Sequence, residues 1–221
     1  MNEFVDMFSS SNPESVATSV KLLLLLTVLS LAPSILILMT SFTRIIIVLS
    51  FVRTSLATQQ MPPNQVLIGL ALFLTFFIMA PTFNEVNEEA LQPLFNEEIG
   101  LDEAYDRASA PMKDFMAANT RQKDLALFMN YAEMDKPETV QDIPMTTLVP
   151  AYAISELKTA FQMGFMIFVP FLIIDMAVAS VLMSMGMMML PPVMISLPFK
   201  ILLFVLVDGW YLITRSLLEG F

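Results

Sequence analysis

The apolar runs of this chain are long enough to ask for a membrane and too often interrupted to lie in one alone. Residues 22–43 carry no charge, enough for a helix to cross about 30 Å of hydrocarbon, yet Pro33 sits in the middle and should kink it. Arg44 then interrupts, Ile45–Val52 resumes the run and Arg53 closes it. Residues 66–80 form a second run of 15, ended by Pro81 and short for an independent span. Residues 159–174 are charge-free up to Asp175, and residues 176–199 are charge-free but broken by Gly186, Pro191, Pro192 and Pro198. Lys200, Ile201–Val207 and Asp208 follow. In hydrocarbon every backbone N–H and C=O must be bonded internally, so a broken helix survives only where protein buries it or where it lines a cavity. Single Arg, Lys and Asp residues at that depth are costly and are usually paired. No β alternation and no fixed-period repeat appears. The pattern therefore predicts an all-α fold: integral membrane-type helical hairpins with kinked or broken helices, buried within an oligomer.

The charges divide the chain. Its formal net charge is −10, and residues 84–143 hold 14 acidic against 5 basic side chains, a net of −9. Four segments are expected: a polar N-terminal arm (1–20), an N-terminal hydrophobic helical hairpin (21–83), an acidic helical insert (84–143) and a C-terminal hydrophobic hairpin (144–221). Arg44 and Arg53 between the first two apolar blocks favour the cytoplasm for that side, which puts the insert outside it. Lys21, Leu22–Leu26 and Ser30-Leu31-Ala32 loosely resemble a signal peptide. The acidic start and Pro33 after the cut argue against its removal.

Within the insert, Leu101, Ala104, Tyr105, Ala108, Met112, Phe115 and Met116 recur at helical spacing, with Pro111 expected to bend or break them. Asn119 with Gln122 resembles a second helix start, and Leu125, Phe128, Met129 and Ala132 continue as an apolar stripe. So small a domain is expected to pack on the rest rather than stand alone.

With no cysteine and no histidine, disulfides, thiolate metal sites and the commonest general base are excluded. The acidic balance excludes nucleic-acid binding, which needs clustered Lys and Arg. No phosphate-binding Gly-rich loop, GxSxG or HExxH is present, and no catalytic role or cofactor is expected.

Methionine is the strongest local signal. Met183, Met185, Met187, Met188, Met189 and Met194 fall within twelve positions, out of 19 methionines in 221 residues. Gly186 before the triplet and Pro191-Pro192 after it predict a loop. Thioether side chains are unbranched and polarizable, so they repack against irregular shapes. Several copies meeting at an axis would make an apolar ring that blocks ions by dewetting. The bland alternative is a set of core or lipid-facing methionines. Lys200 needs a carboxylate; Glu156, Asp175 and Asp208 are candidates, with Glu156 of a neighbouring copy favoured, against a Lys that snorkels to the interface. Phe161, Phe165 and Phe168 read as a packing stripe.

Two long stretches carry a resemblance. PSILILMTSFTRIIIVLSFVRTSLATQQMPPNQVLIGLALFLTFFIMAPTF (33–83) and ISELKTAFQMGFMIFVPFLIIDMAVASVLMSMGMMMLPPVMISLPFKILLFVLVDGW (154–210) resemble the two signatures of the FliP/SctR family of type III secretion export-gate proteins. They cover about half the chain, in the family's order. The ending LPFK…LFVLVDGW and the acidic insert resemble the flagellar branch. The resemblance implies a ring-like helical assembly of about five copies, completed by FliR and FliQ. FlhB and FlhA would lie beside it, in the bacterial cytoplasmic membrane at the flagellar basal body. It implies a conduit for unfolded flagellar proteins, with Met187–Met189 as a gasket; Met185 beside them is expected to join it, and the charge pattern itself gives Glu156–Lys200 as the expected inter-subunit salt bridge. An ion or small-solute transporter is the alternative, since it too would place charges in broken helices, although the internal repeats expected of one are missing.

Overall fold

The computed structural model describes residues 33–58, 60–187 and 189–221, together with Leu23, Leu26, Thr27, Ser30 and Leu31. The N-terminal arm, the signal-like segment around Lys21 and Met188 lie outside the described residues. Among those described there is helix and no strand. The chain forms two compact units, residues 1–37 and 38–221.

Helix α1 spans Pro33–Met39, and Thr40 and Ser41 separate it from α2, Phe42–Ser55. Helix α3 runs from Asn64 to Phe95 through a π-helical turn at Asn87–Leu91. Helices α4 (Leu101–Ala118) and α5 (Gln122–Tyr131) form the insert. Helix α6 is Met145–Ser184, α7 is Pro192–Leu206 and α8 is Gly209–Leu218. By length and composition α3 and α6 are apolar enough to cross a membrane, and α7 with α8 makes a third such stretch, bent by 62°. The bend falls at Asp208, a non-glycine residue in the left-handed region at φ 52°.

Several prolines do less than their sequence context predicts. Pro81, Pro111, Pro150, Pro170 and Pro198 all lie inside helices. A single proline deletes one i→i−4 bond and kinks the helix. Unwinding the helix around it in an apolar setting would free several backbone groups at once. The expected stop at Pro81 is thus corrected: α3 passes through it to 32 residues. Pro198, expected as a break, sits in mid-α7, and Pro111 does not break α4. Pro33 opens α1.

The core lies where α2 meets α6. Helix α2 buries Phe42, Ile45, Val48, Leu49 and Val52, and α6 buries Leu148, Ala151, Tyr152, Ser155, Ala160 and Gly164. Close approach is set at Gly164, where an added Cβ would fall 2.4 Å from the Phe51 ring; small residues at helix–helix contacts serve this purpose in membranes. The insert packs on the start of α6 through Met116, Ile143, Leu148 and Tyr152. Asn119, expected at a helix start, instead closes α4, its side-chain amide donating to the Phe115 carbonyl at 2.9 Å. Helix α5 begins after Arg121.

Candidate functional site

The methionine loop sits between the two longest apolar elements of the C-terminal half. Helix α6 ends in a double cap: the Met187 N–H donates to the Leu182 carbonyl at 3.0 Å and the Gly186 N–H to the Met183 carbonyl at 3.1 Å. Gly186 takes φ +76°, a value glycine adopts without strain. On the far side, Pro191 caps α7 and Pro192 is its first residue, where a missing N–H costs nothing. The glycine cap on one flank and the proline pair on the other therefore leave Met185–Met187 and Met189–Leu190 outside both helices. Met189 is 99% exposed and Met185 64%, and Met183 and Met194 stand equally free beside the loop, while Met187 is partly covered. Met188, expected in the same cluster, is outside the described residues. Within one chain Met183, Met185, Met189 and Met194 find no core.

Below the loop, α6 and α7 are tied by a charge pair. Lys200 Nζ donates to Asp175 Oδ2 at 2.6 Å, and Ser196 Oγ donates to Asp175 Oδ1 at 2.5 Å. Lys200 is buried to 2% exposure. The remaining candidates lie elsewhere: Asp208 is exposed at the α7–α8 bend, and the Glu156 carboxylate is taken by Arg44.

That second pair is the most buried ionic contact of the described residues, its side chains 4% and 0% exposed. Arg44 donates through Nε to Glu156 Oε2 at 2.8 Å and through Nη2 to Oε1. Arg44 Nη1 reaches the Gly220 carbonyl at 2.5 Å, Nη2 reaches Asn119 Oδ1 at 3.4 Å, and the guanidinium lies 3.7 Å from the centre of the Phe221 ring. Phe221 in turn stacks on Phe115 of α4. One guanidinium thus gathers α2, α4, α6 and the chain end. A forked guanidinium suits this role because its five donors address several acceptors at fixed angles.

The single chain therefore does not bring Glu156 and Lys200 together. Within the chain the two side chains are engaged separately, in Arg44–Glu156 and Lys200–Asp175, and a Glu156–Lys200 bridge between neighbouring copies is a matter of the assembly. The physical reason is proximity on packed helices: Asp175 faces Lys200 across the α6–α7 hairpin, whereas Glu156 lies on the α2 face of α6. Arg53 stays partly exposed and bridges α2 to the start of α3, donating to Asn64 Oδ1 and, at 3.5 Å, to the Pro62 carbonyl. Of the aromatic stripe, Phe161 meets Phe51 edge-on, yet it and Phe165 are more than half exposed.

Ser196, Asn119, Gly220 and Phe221 were not foreseen as partners of these charges. Ser196 was findable, because it stands one turn before Lys200 on the same face. Nothing in the pattern marked the others. Among the described residues no three metal-ligating side chains come together.

Comparison with known proteins places these features in context. The profile of the FliP family matches residues 25–217. The flagellar biosynthetic protein FliP of Bacillus subtilis (strain 168) is 79% identical over 221 residues, all of both chains. The protein of the same name from Pectobacterium carotovorum subsp. carotovorum is 54% identical over 94% of this chain and 81% of its own. That of Caulobacter vibrioides is 54% identical over 91% and 76%.

Proposed function

This chain belongs to the FliP family, and we propose that it is a core channel subunit of the flagellar type III export gate. In this reading several copies, about five, assemble with FliR and FliQ beside FlhB and FlhA in the bacterial cytoplasmic membrane. Together they conduct unfolded flagellar proteins through a shared conduit, and the methionine loop seals it at rest. The observation that supports the reading most is the exposed thioether loop pinned between a glycine-capped helix end and a proline-opened helix start. Apolar side chains held out of both helices need an external partner, and copies meeting at an axis supply it.

The mechanism follows from the residue chemistry. A ring of Met187, Met188 and Met189 from each copy narrows the conduit with apolar, polarizable groups. Water leaves so narrow an apolar constriction, and ions do not cross without it. Unbranched side chains then swing aside for whatever sequence passes and close behind it. The Lys200–Asp175 and Arg44–Glu156 pairs hold the flanking helices, so motion stays in the loop. No residue of this chain has to supply energy or break a bond.

A transporter reading differs at one point: it would place the working charges at Asp175 and Lys200, and ions would pass through the unaltered protein. Planar-bilayer conductance of the purified assembly separates the two. The export-gate reading expects a silent wild type and a steady ion leak once Met187, Met188 and Met189 are changed to Ala. A wild type that conducts ions, or a triple variant that stays ion-tight, would overturn it.

A further inference from the structure

The acidic insert is electrically two-ended. Between Arg53 and Arg107 the chain has eight acidic residues and no basic one. They are Glu85, Glu88, Glu89, Glu97, Glu98, Asp102, Glu103 and Asp106, all exposed, on the last turns of α3, the turn that follows it and the first turns of α4. Only Glu103 has a cationic partner among the described residues, Arg107 at 2.5 Å. At the other end of α4 the sign reverses. Arg121 and Lys123 open α5, and Lys158 on α6 faces both. A single carboxylate stands among these three cations: Asp124 accepts from Arg121 and, at 2.7 Å, from the Ser155 hydroxyl. Acceptors are scarce there, since Arg121 Nε and Nη1 are buried with no hydrogen-bond partner. The 18 residues of α4 separate the two ends by about 27 Å.

We infer that the Arg121–Lys123–Lys158 cluster of one copy docks on the acidic edge Glu85–Asp106 of the next copy of this chain. This contact rests on the oligomeric reading above and gives it an insert-to-insert surface. Electrostatics favours it. Copies side by side bring inserts of net −9 together, and like charges oppose that unless the one cationic patch meets a neighbour's acids. A contact between two different patches is heterologous, and it repeats from copy to copy as a closed ring requires. A second copy fits better than an unrelated acidic partner, because the complementary surface is already present on every chain at equal concentration.

The test uses the assembled membrane complex. The chain has no cysteine, so Lys123→Cys or Lys158→Cys combined with Glu98→Cys or Asp102→Cys starts from a silent background. A short bis-maleimide is expected to give dimers and a ladder of higher bands from the double variants and none above dimer from the singles. Absence of cross-copy bands in a complex of unchanged mass overturns the docking surface and leaves the channel reading standing. A wild type that never assembles overturns both. Lys123→Glu with Lys158→Glu is expected to lower the assembled fraction about tenfold at low ionic strength and less at high salt. Full assembly of that variant, with loss of bound anionic phospholipid in native mass spectrometry, would make the cluster a lipid site and overturn the proposal.

Discussion

Replacing Glu156 by Gln tests the centre of the fold while barely changing its shape. The carboxylate is fully buried and takes two hydrogen bonds from Arg44, one of them 2.8 Å long. Removing one member of a buried pair leaves the other charge uncompensated, at about 3–5 kcal/mol. Gln keeps one acceptor oxygen, and Gly220 still accepts from Nη1 at 2.5 Å. The loss should therefore fall near the lower end, about 3 kcal/mol, or roughly a hundredfold in the folded-to-unfolded ratio. Ala at the same position should approach the upper end. Unfolding of the purified chain in detergent, followed by tryptophan fluorescence and protease resistance, reads the difference. Recovery by charge exchange should also be selective. Arg44→Glu with Glu156→Arg restores part of the loss, because it re-forms one opposite pair. Lys200→Glu with Glu156→Lys restores none, because it sets a second carboxylate against Asp175 and a second cation against Arg44. A Glu156→Gln chain within about 0.5 kcal/mol of the wild type, or recovery by the second exchange and not the first, would refute this account of the core.

Two further outcomes follow from the geometry. Gly164→Ala puts a Cβ 2.4 Å from the Phe51 ring and 3.0 Å from its Cβ, too near the ring's root for a simple swing, so α2 and α6 must separate; the expected loss is about 1–3 kcal/mol, partly recovered by Phe51→Leu in the same unfolding assay. Burial pushes the Asp124 carboxyl up, but bonds from Ser155 and Arg121 outweigh it and leave the group below the usual carboxylate range. A carboxyl lowered by folding adds stability above its unfolded value, near about 3.9, and loses it as pH falls through the folded value. Hydrogen exchange of α5 amides should accelerate over that acid range in the wild type, and Asp124→Asn should flatten the dependence. An unchanged profile in the variant would remove Asp124 as the cause.

What could be read from the residues alone was what depends on neighbours along the chain. Gly186 and Pro191-Pro192 marked the ends of α6 and α7 because left-handed caps and first-turn prolines are local devices. The all-α class followed from the length of the apolar runs. Single prolines misled: Pro81 and Pro198 each remove one bond, and the energy that keeps the helix going comes from many bonds on either side. The charge pairs were the least legible. Arg44 and Glu156 are 112 positions apart, and three carboxylates competed on paper for Lys200. Which one it meets depends on the rotation of α6 against α7, a property of packing rather than of spacing. Ser196 marks Asp175 as the partner within the chain, since a hydroxyl one turn before the Lys offers the second donor that a buried carboxylate needs.

The central claim is that polypeptide passes through the methionine loop. A photoreactive amino acid at Met189, in cells carrying an export substrate fused to a tightly folded plug, measures it directly. A crosslink to the unfolded part of the arrested substrate is expected, and none without the plug or with the same label at Phe73 on the exposed face of α3. A substrate that arrests but crosslinks only at Phe73, leaving Met189 untouched, would contradict it.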